Sequence, residues 1–406
     1  MDALTTPSNW QRVRLGDIGI TISGLVGKTK QDFINGNAKY ITFLNVLNNV
    51  IIDTSILENV KIYPNEKQNS FKKYDLFFNT SSETPKEVGM CAVLLDDIDQ
   101  VFLNSFCFGF RIFDKAVDGL FLSYLINSEI GRKAFENLAQ GSTRYNLSKS
   151  GFNNVCLFLP PLNEQIAIAN ILSDLDRYLY SLDALILKKE SVKKALSFEL
   201  LSQRKRLKGF NQAWQRVRLG DVAEIIGGGT PSTQVTSFWN GSINWFTPTE
   251  IGITKYVYKS QRTITPLGLK KSSAKLLPIG TILLTSRASI GDCAILKVVA
   301  TTNQGFQSLI PLEKINNEFL YYLILTLKNK LLELASGSTF LEVSPNKIKN
   351  LLIPLPPLNE QIAIANILSG LDSEIISLKN KKRQFENIKK ALNHDLMSAK
   401  IRVLKK

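Results

Sequence analysis

The sequence contains little of what metal centres and histidine catalysis require. Among its 406 residues there are four cysteines and one histidine, His394. Zinc sites need clustered thiolates or imidazoles, whereas Cys91, Cys107, Cys156 and Cys293 lie far apart with no CxxC pair. We therefore expect no metal site, and we expect free thiols in a reducing cytoplasm. A single histidine on a basic helix also argues against histidine catalysis.

Long apolar runs are absent as well. No stretch approaches the roughly 20 residues that cross a bilayer, and MDALTTPSNW at the start lacks the basic and apolar regions of a signal peptide. Both absences predict a cytoplasmic protein with no membrane partner. A hydrophobic content of 44% and a charged content of 21% are ordinary for a folded chain. The length of 406 residues predicts two or more domains.

Acidic residues are outnumbered by basic ones. The chain has 50 Lys and Arg against 35 Asp and Glu, for a net charge of +15. Such an excess indicates a polyanionic partner, of which nucleic acid is the commonest. A surface whose charge only keeps the protein in solution is the alternative.

What the sequence does contain is an internal duplication. WQRVRLGD occurs at 10–17 and again, unchanged, at 214–221. LPPLNEQIAIANILSDLD at 159–176 returns at 355–372 with one substitution, so a residue of this block corresponds to the residue 196 positions later. Between the matched blocks the two halves differ widely. The chain therefore reads as variable, constant, variable, constant.

Each constant segment predicts a long helix. Pro-Pro cannot continue a preceding helix, and Asn163 and Asn359 are good N-cap residues. Glu164 and Glu360 then place a carboxylate at the positive end of the helix dipole. The sequence therefore predicts that both helices begin at this block.

An apolar seam predicts that the two helices pack against each other. Ile and Leu recur at a spacing that approximates a heptad, although Lys189 and Lys193 interrupt it in the first copy. Two such helices in one chain most simply bury their stripes together. At about 1.5 Å per residue each reaches roughly 65 Å, which predicts a rigid spacer.

The variable segments predict mixed α/β domains. Short β-rich runs at 39–46, 101–113 and 280–291 are broken by Gly, Asn and Pro. A helix-like stretch follows in each domain, at 119–139 and 317–335. The fold class is therefore α/β.

The chain resembles the specificity subunit of Type I restriction-modification enzymes across nearly its whole length. LPPLNEQ heading a long helix, present twice, carries the resemblance, together with GGGTPS (227–232), TSRASIG (285–291), TNQGF (302–306) and FNTSSETPKEVG (78–89). The resemblance implies two target-recognition domains that each read half of a bipartite DNA site, and two conserved helices that form an antiparallel coiled coil. The predicted segments are then recognition domain 1 at 1–158, the first helix at 159–209, recognition domain 2 at 210–354 and the second helix at 355–406.

The resemblance also implies the partners. Two methyltransferase subunits dock on the conserved helices, and restriction subunits complete the complex on double-stranded DNA. The chain itself is expected to hold no catalytic residue and no cofactor, with S-adenosylmethionine, ATP and Mg on the partner subunits. Two nearly identical helices present the same surface twice, which suits two copies of one partner. A coiled-coil scaffold or tether with weak or no specific DNA binding is the alternative.

The constant block supplies the candidate partner contacts. Capping explains its Pro, Asn and Glu residues, and packing explains its Ile and Leu residues. Neither requires the Gln and the second Asn to match, so docking is favoured over structure alone. The candidates are Asn163, Glu164, Gln165, Asn170, Asn359, Glu360, Gln361 and Asn366.

Candidate DNA contacts are hydroxyl, amide and cationic side chains near glycine in the variable domains. Arg reads guanine, Asn or Gln reads adenine, and Ser or Thr binds phosphates or base edges. In the first domain the candidates are Thr80, Ser81, Ser82, Lys86, Arg144, Tyr145, Asn146 and Lys149. In the second they are Thr230, Ser232, Thr285, Ser286, Arg287, Asn303, Gln304, Ser338 and Thr339. Ordinary turn chemistry is the alternative for any one of them.

Other functional motifs are weaker. SGLVGKT at 23–29 lacks the first glycine of a phosphate-binding loop, which falls on Ile22. No glycine-rich cofactor turn follows a strand, and LPPL lacks the neighbours that an adenine methylase motif needs. Trp10 and Trp214 are expected to pack at a domain edge instead of stacking on bases.

Overall fold

The chain divides into two compact units. The computed structural model describes residue 7 and residues 9–136, 138–141, 144–337 and 341–403. Unit 1 comprises Met1–Asp183 and Lys381–Lys406, and unit 2 comprises Ala184–Asn380. Each unit thus holds one variable segment, the beginning of one constant helix and the end of the other. The segment boundaries drawn from the sequence, which keep each helix whole, stay a prediction.

The first part of unit 1 is a mixed α/β domain. Its strands are β1 Gln11–Arg14, β2 Gly19–Ser23, β3 Ala38–Ile41, β4 Glu58–Val60, β5 Leu76–Asn79, β6 Ser81–Ser82, β7 Cys91–Val93, β8 Val101–Leu103, β9 Cys107–Ile112, β10 Tyr145–Asn146 and β11 Cys156–Leu159. Its helices are α1 Leu15–Ile18, α2 Phe43–Asn48, α3 Gly119–Asn127, α4 Glu129–Glu136 and α5 Lys149–Asn153, and the long helix α6 Leu162–Leu201 begins in this unit.

Two sheets form the body of this domain. Strands β2, β9, β5 and β7 make an antiparallel sheet in that order, and β4, β3 and β8 make a second in which β3 and β8 run parallel. Strand β1 pairs with β11, with Gln11 opposite Leu159. The first WQRVRLGD therefore lies beside the strand that leads into the constant block. Trp10 is buried at this edge, which confirms its predicted packing role.

Aromatic residues fill the core of unit 1. Phe78 of β5 is fully buried and meets Phe152 of α5 edge-on, with ring centroids 4.7 Å apart. Leu172 of α6 belongs to the same apolar cluster, as do Leu396 and Met397 from the end of the second constant helix. A fully buried side chain of this size stabilises by about 1.5–3 kcal/mol. The constant helices are therefore part of the core of the domain.

One predicted strand is partly a helix. In the run at 39–46, Ala38–Ile41 is strand β3, but Phe43–Asn48 is helix α2. The side chain of Thr42 accepts a hydrogen bond from the amide of Asn45 at 3.2 Å. This cap starts a helical turn that outweighs the β propensity of the following Phe and Val.

The long helix begins before the asparagine predicted to cap it. Helix α6 starts at Leu162, and the carbonyl of Pro161 accepts the amide of Gln165 at 3.1 Å. Asn163 therefore lies inside the first turn, and Asn359 lies likewise in the second copy. The N-cap prediction was wrong because the proline carbonyl already starts the helical ladder.

Unit 2 contains the second mixed α/β domain. Its strands are β12 Gln215–Arg218, β13 Ala223–Gly227, β14 Trp239–Phe246, β15 Tyr256–Val257, β16 Arg262–Ile264, β17 Ile282–Leu284, β18 Cys293–Leu296, β19 Ala300–Thr302, β20 Gln307–Pro311 and β21 Leu352–Leu355. Its helices are α7 Pro266–Lys270, α8 Asn317–Thr326, α9 Lys328–Leu334 and α10 Pro345–Lys349, and the long helix α11 Leu358–Met397 begins here.

The second domain repeats the topology of the first although its sequence differs. Strands β13, β20, β17 and β18 follow the order of β2, β9, β5 and β7, with β15 added in parallel at the edge. Strands β16, β14 and β19 match β4, β3 and β8, and β12 pairs with β21 as β1 pairs with β11. Positions in the two domains can therefore be equated by fold.

In unit 1 the two constant helices run antiparallel. Asp176 of α6 forms an ion pair with Lys389 of α11. Further along α6, Tyr178 packs against Phe385, with ring centroids 4.7 Å apart. Residues later in α6 therefore contact residues earlier in α11. The two constant helices thus contact each other in this unit, while the continuous Ile and Leu seam stays a prediction.

In unit 2 the helices are also antiparallel, and ion pairs account for the interrupted seam. Lys193 pairs with Asp372, which is the equivalent of the pair formed by Lys389 in unit 1. Lys189 pairs with Glu374 at 2.5 Å. Both lysines break the apolar pattern in the sequence, and each has a carboxylate opposite it in the structure.

Two general features of the described part of the chain bear on function. No helix there combines the length and apolarity needed to cross a bilayer. Within the same residues, no group of three or more His, Cys, Asp or Glu side chains is arranged to hold a metal ion.

Candidate nucleic-acid interface

In unit 1 the fold brings together the two clusters of candidate residues. Strand β6 pairs antiparallel with β10, so that Ser81 lies opposite Asn146 and Ser82 opposite Tyr145. The amide of Leu147 donates to the carbonyl of Thr80 at 2.8 Å. Residues more than 60 positions apart in sequence thus form one small surface.

The turn that follows β6 is fixed from behind by buried polar groups. The side chain of Asn79 donates to the carbonyl of Glu87 and accepts from the amide of Met90, both at 2.7 Å. Arg132 of α4 donates to the carbonyl of Gly89 at 2.9 Å. Gly89 has a φ of 71°, a left-handed conformation that favours glycine. The turn is therefore held in a defined shape.

Within this surface only some predicted side chains reach solvent. Ser81 and Ser82 are 4% and 7% exposed, and the hydroxyl of Ser82 donates to Glu87 at 2.7 Å. The hydroxyl of Thr80 donates to the carbonyl of Phe106 at 2.8 Å. The burial of Ser81 and Ser82 corrects their prediction as direct DNA contacts, and the bond to Glu87 already satisfies the hydroxyl of Ser82. Thr80 is half-buried, so its contact with DNA stays a prediction.

The exposed candidates of the first domain are mainly cationic. Lys86, Arg144, Asn146 and Lys149 are exposed, and Tyr145 is half-buried. The guanidinium of Arg144 lies 5.7 Å from the ring centroid of Phe106. The Nζ of Lys149 donates to the hydroxyl of Ser23 at 2.7 Å. The exposed set therefore combines positive charge with one amide.

The backbone segments 80–89 and 145–147, which form this surface in unit 1, are called the first frame. Unit 2 has an equivalent second frame that carries different residues. The amide of Ser286 donates to the carbonyl of Gly305 at 2.8 Å, and the amide of Val343 donates to the carbonyl of Ser286 at 3.0 Å. The matching bonds in unit 1 are made by Thr80 and Leu147. By this alignment Ser286 is the equivalent of Thr80.

The turn after Ser286 is fixed in the same manner as its counterpart. The hydroxyl of Thr285 donates to the carbonyl of Ser289 at 2.7 Å. Lys328, the first residue of α9, donates to Asp292 at 2.6 Å, although it is not the positional equivalent of Arg132. Gly291 has a φ of 90°, as Gly89 is left-handed in unit 1. Thr285 and Ser286 are both 1% exposed, so they too are structural, which corrects their prediction as DNA contacts.

The remaining candidates of the second domain surround this turn. Thr230, Ser232 and Gln304 are exposed, and Asn303 and Arg287 are partly exposed. The hydroxyl of Thr230 donates to Gln304, which joins two of the predicted loops. The predicted contacts at Ser338 and Thr339 lie outside the described residues.

A cationic segment beside these loops was not predicted. An added Cβ at Gly229 would collide with Ser273 and Ala274, so the GGGTPS loop packs directly on the segment 270–275. Lys270, Lys271 and Lys275 are exposed there. They were not selected from the sequence, although they are cationic and follow Gly268. The run KKSSAK, which interleaves lysine with serine, was the available signal.

The loop at 23–29 has a counterpart in the second domain. A Cβ on Gly24 would collide with the carbonyl of Asn104, and one on Gly228 would collide with the carbonyl of Asn303. SGLVGKT therefore lies where GGGTPS lies in the other domain. Its glycine allows two backbones to approach closely, which is a structural use.

The side chains of the two glutamines of the constant block form hydrogen bonds inside their own units. Gln165 is 2% exposed; its amide nitrogen donates to the carbonyls of Ala116 and Pro160, and its oxygen accepts from the amide of Asp118 at 3.0 Å. Gln361 makes the equivalent three bonds in unit 2 and is fully buried. Their prediction as partner contacts is therefore wrong, since all of these groups are satisfied inside the unit.

The two glutamates of the block are internal as well. Glu164 accepts hydrogen bonds from Arg402 at 2.6 and 2.7 Å, which raises the pKa of Arg402. Glu360 is fully buried and accepts from Arg206 and from the indole of Trp214. The arginine bonds join the beginning of one constant helix to the segment that follows the end of the other helix. They also correct the prediction of both glutamates as partner contacts.

Other residues of the block do face solvent. Asn163, Asn170, Asn359 and Asn366 are exposed, as predicted for partner contacts. Between them lie isoleucines at the same exposure in both copies: 41% for the first of each pair, and 36% and 37% for the second. These are Ile166 and Ile171 in the first copy and Ile362 and Ile367 in the second. The four Asn and four Ile side chains are called the repeated stripe below.

Comparison with known sequences identifies the family. Residues 7–189 and 211–387 match the family described as the Type I restriction modification DNA specificity domain. The chain belongs to this family. The two matched regions cover both variable domains and most of both constant helices.

Curated members of this specificity family resemble the chain over part or all of its length. The MjaIX specificity subunit of Methanocaldococcus jannaschii is 41% identical over 44% of this chain and 41% of that protein. The EcoR124I/EcoR124II specificity subunit of Escherichia coli is 36% identical over 38% of this chain and 40% of that protein. The matches thus span about two-fifths of these two relatives. The putative MjaX specificity subunit is 27% identical over 98% of this chain and 95% of that protein.

Solved structures of the specificity family share the fold. The S subunit from M. genitalium has a TM-score of 0.61 at 18% identity, covering 96% of each chain. The HsdS subunit from Thermoanaerobacter tengcongensis has a TM-score of 0.53 at 19% identity, covering 97% of this chain and 98% of that one. The mixed α/β architecture with long helices is therefore that of this family.

Proposed function

We propose that this chain is the non-catalytic DNA-reading subunit of a Type I restriction-modification complex. Each variable domain reads one half of a bipartite site, and a partner adenine methyltransferase modifies it. The observation that carries the proposal is that one backbone frame occurs in both domains with different exposed side chains. Equivalent frames favour the same kind of ligand, and different side chains favour different sequences.

The charges around the frames support DNA as that ligand. Lys86, Arg144 and Lys149 are exposed at the first frame, and Lys271 and Lys275 lie beside the loops of the second. Such side chains bind phosphates and set the register of a protein on the duplex, while amides and guanidinium groups read bases. A scaffold without DNA binding would gain nothing from charge placed at both frames.

The repeated stripe supports two copies of one partner. Its Asn and Ile residues are identical in the two copies; all four Asn are exposed, and the corresponding Ile residues differ in exposure by no more than 1%. Isoleucine exposed at regular places on a helix is typical of a protein contact. The partner is a methyltransferase subunit that carries S-adenosylmethionine, and restriction subunits with ATP and Mg join the full complex.

The constant helices are proposed to form one antiparallel coiled coil between the domains. Antiparallel contacts occur at Asp176 and Lys389 in unit 1 and at Lys193 and Asp372 in unit 2, which are equivalent pairs. A single pseudo-two-fold arrangement of the two helices accounts for both. The coiled coil then sets the separation of the half-sites.

Methylated adenines report directly on this function. The chain is expressed with a Type I methyltransferase subunit in a host that lacks adenine methylation, and modified bases are mapped across the genome. We expect one bipartite motif, and copurification of two methyltransferase subunits per chain. The double variant Asn170→Arg and Asn366→Arg should lose copurification by adding bulk and charge to the stripe. The control Asn350→Arg, an exposed residue outside the constant block, should keep it. Copurification without any motif or gel shift on mixed DNA would instead support the scaffold.

A further inference from the structure

The two frames differ at one pair of facing positions. In unit 2, Arg287 directly follows Ser286, and its Nη2 lies 3.0 Å from the carboxylate of Glu342. In unit 1 the equivalent positions are held by Ser81 and Asn146, which face each other between β6 and β10. The guanidinium–carboxylate pair is therefore specific to the second domain.

Arg287 lies on a rigid turn. The residues before it are 1% exposed and bonded to the backbone on both sides, as described above. Beyond it, Ser289 has a φ of 57°, and left-handed conformations of non-glycine residues cluster at functional sites. The side chain of Arg287 is 41% exposed. Because the backbone at Arg287 is fixed and its guanidinium is exposed, the side chain can present its N–H groups in one direction.

The paired carboxylate argues for a base contact in preference to a phosphate contact. Glu342 is 33% exposed and neutralises the charge of Arg287, so the pair attracts phosphate weakly. The contact occupies part of a planar group that has five N–H donors. The Nε atom is buried, but the N–H groups of Nη1 and Nη2 that do not contact Glu342 keep a fork geometry that matches O6 and N7 of guanine. Arg144 in unit 1 differs, because within the described residues it contacts an aromatic ring and forms no ion pair.

We propose that Arg287, held in position by Glu342, reads a guanine in the half-site of the second domain. This inference rests on the proposed function. Arg287 is the specificity-determining residue and Glu342 a positioning residue. At the equivalent place in the first domain Ser81 offers no guanidinium, so guanine is not read there by this means.

The test compares methylation motifs and binding for variants of Arg287 in the complex with a methyltransferase. The half-site of the second domain is identified first, by exchanging residues 214–354. Arg287→Ala and Arg287→Gln should each relax one guanine in that half-site and leave the other half-site unchanged. Loss of a bidentate guanine contact corresponds to about a 5- to 150-fold loss of discrimination at that base. Arg287→Lys should retain part of the preference, because lysine also contacts guanine.

Glu342→Gln tests the positioning role. It keeps the size of the side chain and removes its charge, so the same guanine should be relaxed to a smaller extent, while binding to mixed-sequence DNA becomes tighter because a negative charge is lost. The control Arg216→Ala removes an exposed cation of β12 in the same unit and should leave the motif intact.

The outcomes separate the inference from the function on which it rests. A wild-type complex without a bipartite motif overturns the proposed function, and the inference falls with it. A wild-type motif that persists unchanged in Arg287→Ala overturns the inference alone. Equal weakening of all sequences by Arg287→Ala also overturns it, since that is the behaviour of a phosphate contact. Retention of the first half-site in every variant shows that the chain is folded.

Discussion

A fragment of residues 1–209 is expected to dimerise through its single constant helix. The fragment keeps the first domain but lacks the end of the second helix. In the whole chain Leu396 and Met397, 1% and 0% exposed, complete the apolar cluster around Leu172. Two such side chains stabilise by about 3–6 kcal/mol when buried. The fragment alone leaves this face open to water, and a second copy can cover it.

The helix of a second copy carries suitable residues at the equivalent places. Leu200 and Leu201 stand where Leu396 and Met397 stand in the second helix. A lysine is also retained opposite Asp176, as in the whole chain. A dimer of the fragment therefore turns the pseudo-two-fold relation of the helices into a true one, and it should read a palindromic site with a partner methyltransferase.

Lys189 is the weak point of such a dimer. It stands at the position of Phe385, which packs against Tyr178 in the whole chain. An aromatic pair contributes about 0.5–1.5 kcal/mol beyond the area that it buries. The symmetric dimer lacks this contact at both of its equivalent places, so it should be weaker than a Lys189→Phe dimer by about 1–3 kcal/mol, or about 5- to 150-fold in its dissociation constant. The stem of Lys189 can still carry its charge to solvent.

Sedimentation equilibrium of the fragment measures this directly. We expect dimers at concentrations on the order of 10 µM, and tighter dimers by the factor above for Lys189→Phe. The control Lys188→Phe changes a neighbouring exposed lysine and should tighten the dimer much less. A folded fragment that stays monomeric with and without Lys189→Phe would refute the reasoning. It would show that the two helices have diverged into a pair that cannot replace each other.

Four further outcomes are expected. The purified chain alone should neither methylate nor cleave DNA, so methyl transfer by the isolated chain would contradict the assignment. Exchange of residues 214–354 should change one half of the methylated motif; a change in both halves would oppose modular reading. Arg144→Ala should weaken binding at the first half-site for all sequences alike and reduce the salt slope by about one, as measured by titration at several salt concentrations. Glu360→Ala should lower the free energy of unfolding of unit 2 by about 3–5 kcal/mol, because it leaves Arg206 without its buried partner. The exposed control Glu374→Ala should cost less than about 1 kcal/mol, and denaturation followed by tryptophan fluorescence compares the two.

Periodicity and repetition were enough to predict the larger elements. The constant helices were found because apolar spacing is a local property of the sequence. The predicted helix-like stretches at 119–139 and 317–335 are helical too, but each is divided into two helices, α3 and α4 in one and α8 and α9 in the other. The shared topology of the two variable domains was not predicted. Topology depends on which positions are buried, and many different apolar residues can fill the same sheet positions. Comparison of the two sequences therefore gave no sign of it.

The errors at the candidate site have a common cause. Gln165 looked like a partner contact because neither capping nor packing of its own helix needs a glutamine. Its three hydrogen bonds reach a segment 47 to 49 residues away and the proline before the helix. The hydroxyls of Ser82 and Thr285 were wrongly predicted as DNA contacts for the same reason, since their hydrogen bonds depend on the shape of a turn. Side-chain exposure is a tertiary property, and residue type alone does not predict it.

Hydrogen bonds and ion pairs between the constant helices and the domains explain why the constant block is repeated almost unchanged while the frames differ. In unit 1 the hydroxyl of Tyr124 donates to Asp176 at 2.7 Å, and Asp176 also pairs with Lys389 of the other helix. Burial and this carboxylate raise the pKa of Tyr124, which further disfavours loss of the proton that it donates to Asp176. Tyr322 makes the equivalent bond in unit 2, to an aspartate that is likewise paired with lysine.

Each domain is therefore joined to the parts of the two constant helices in its own unit by the same Gln, Tyr, Asp and Lys groups. These groups join each domain to the helices, so we expect a change in any of them to disturb that attachment. Under the proposed function, a change at Arg287 or Asn146 alters what the frame presents to DNA. Selection for a new recognition sequence can act on the second kind of position without disturbing the first. That division predicts that specificity changes by substitution within a frame, while the attachment of the frame stays constant.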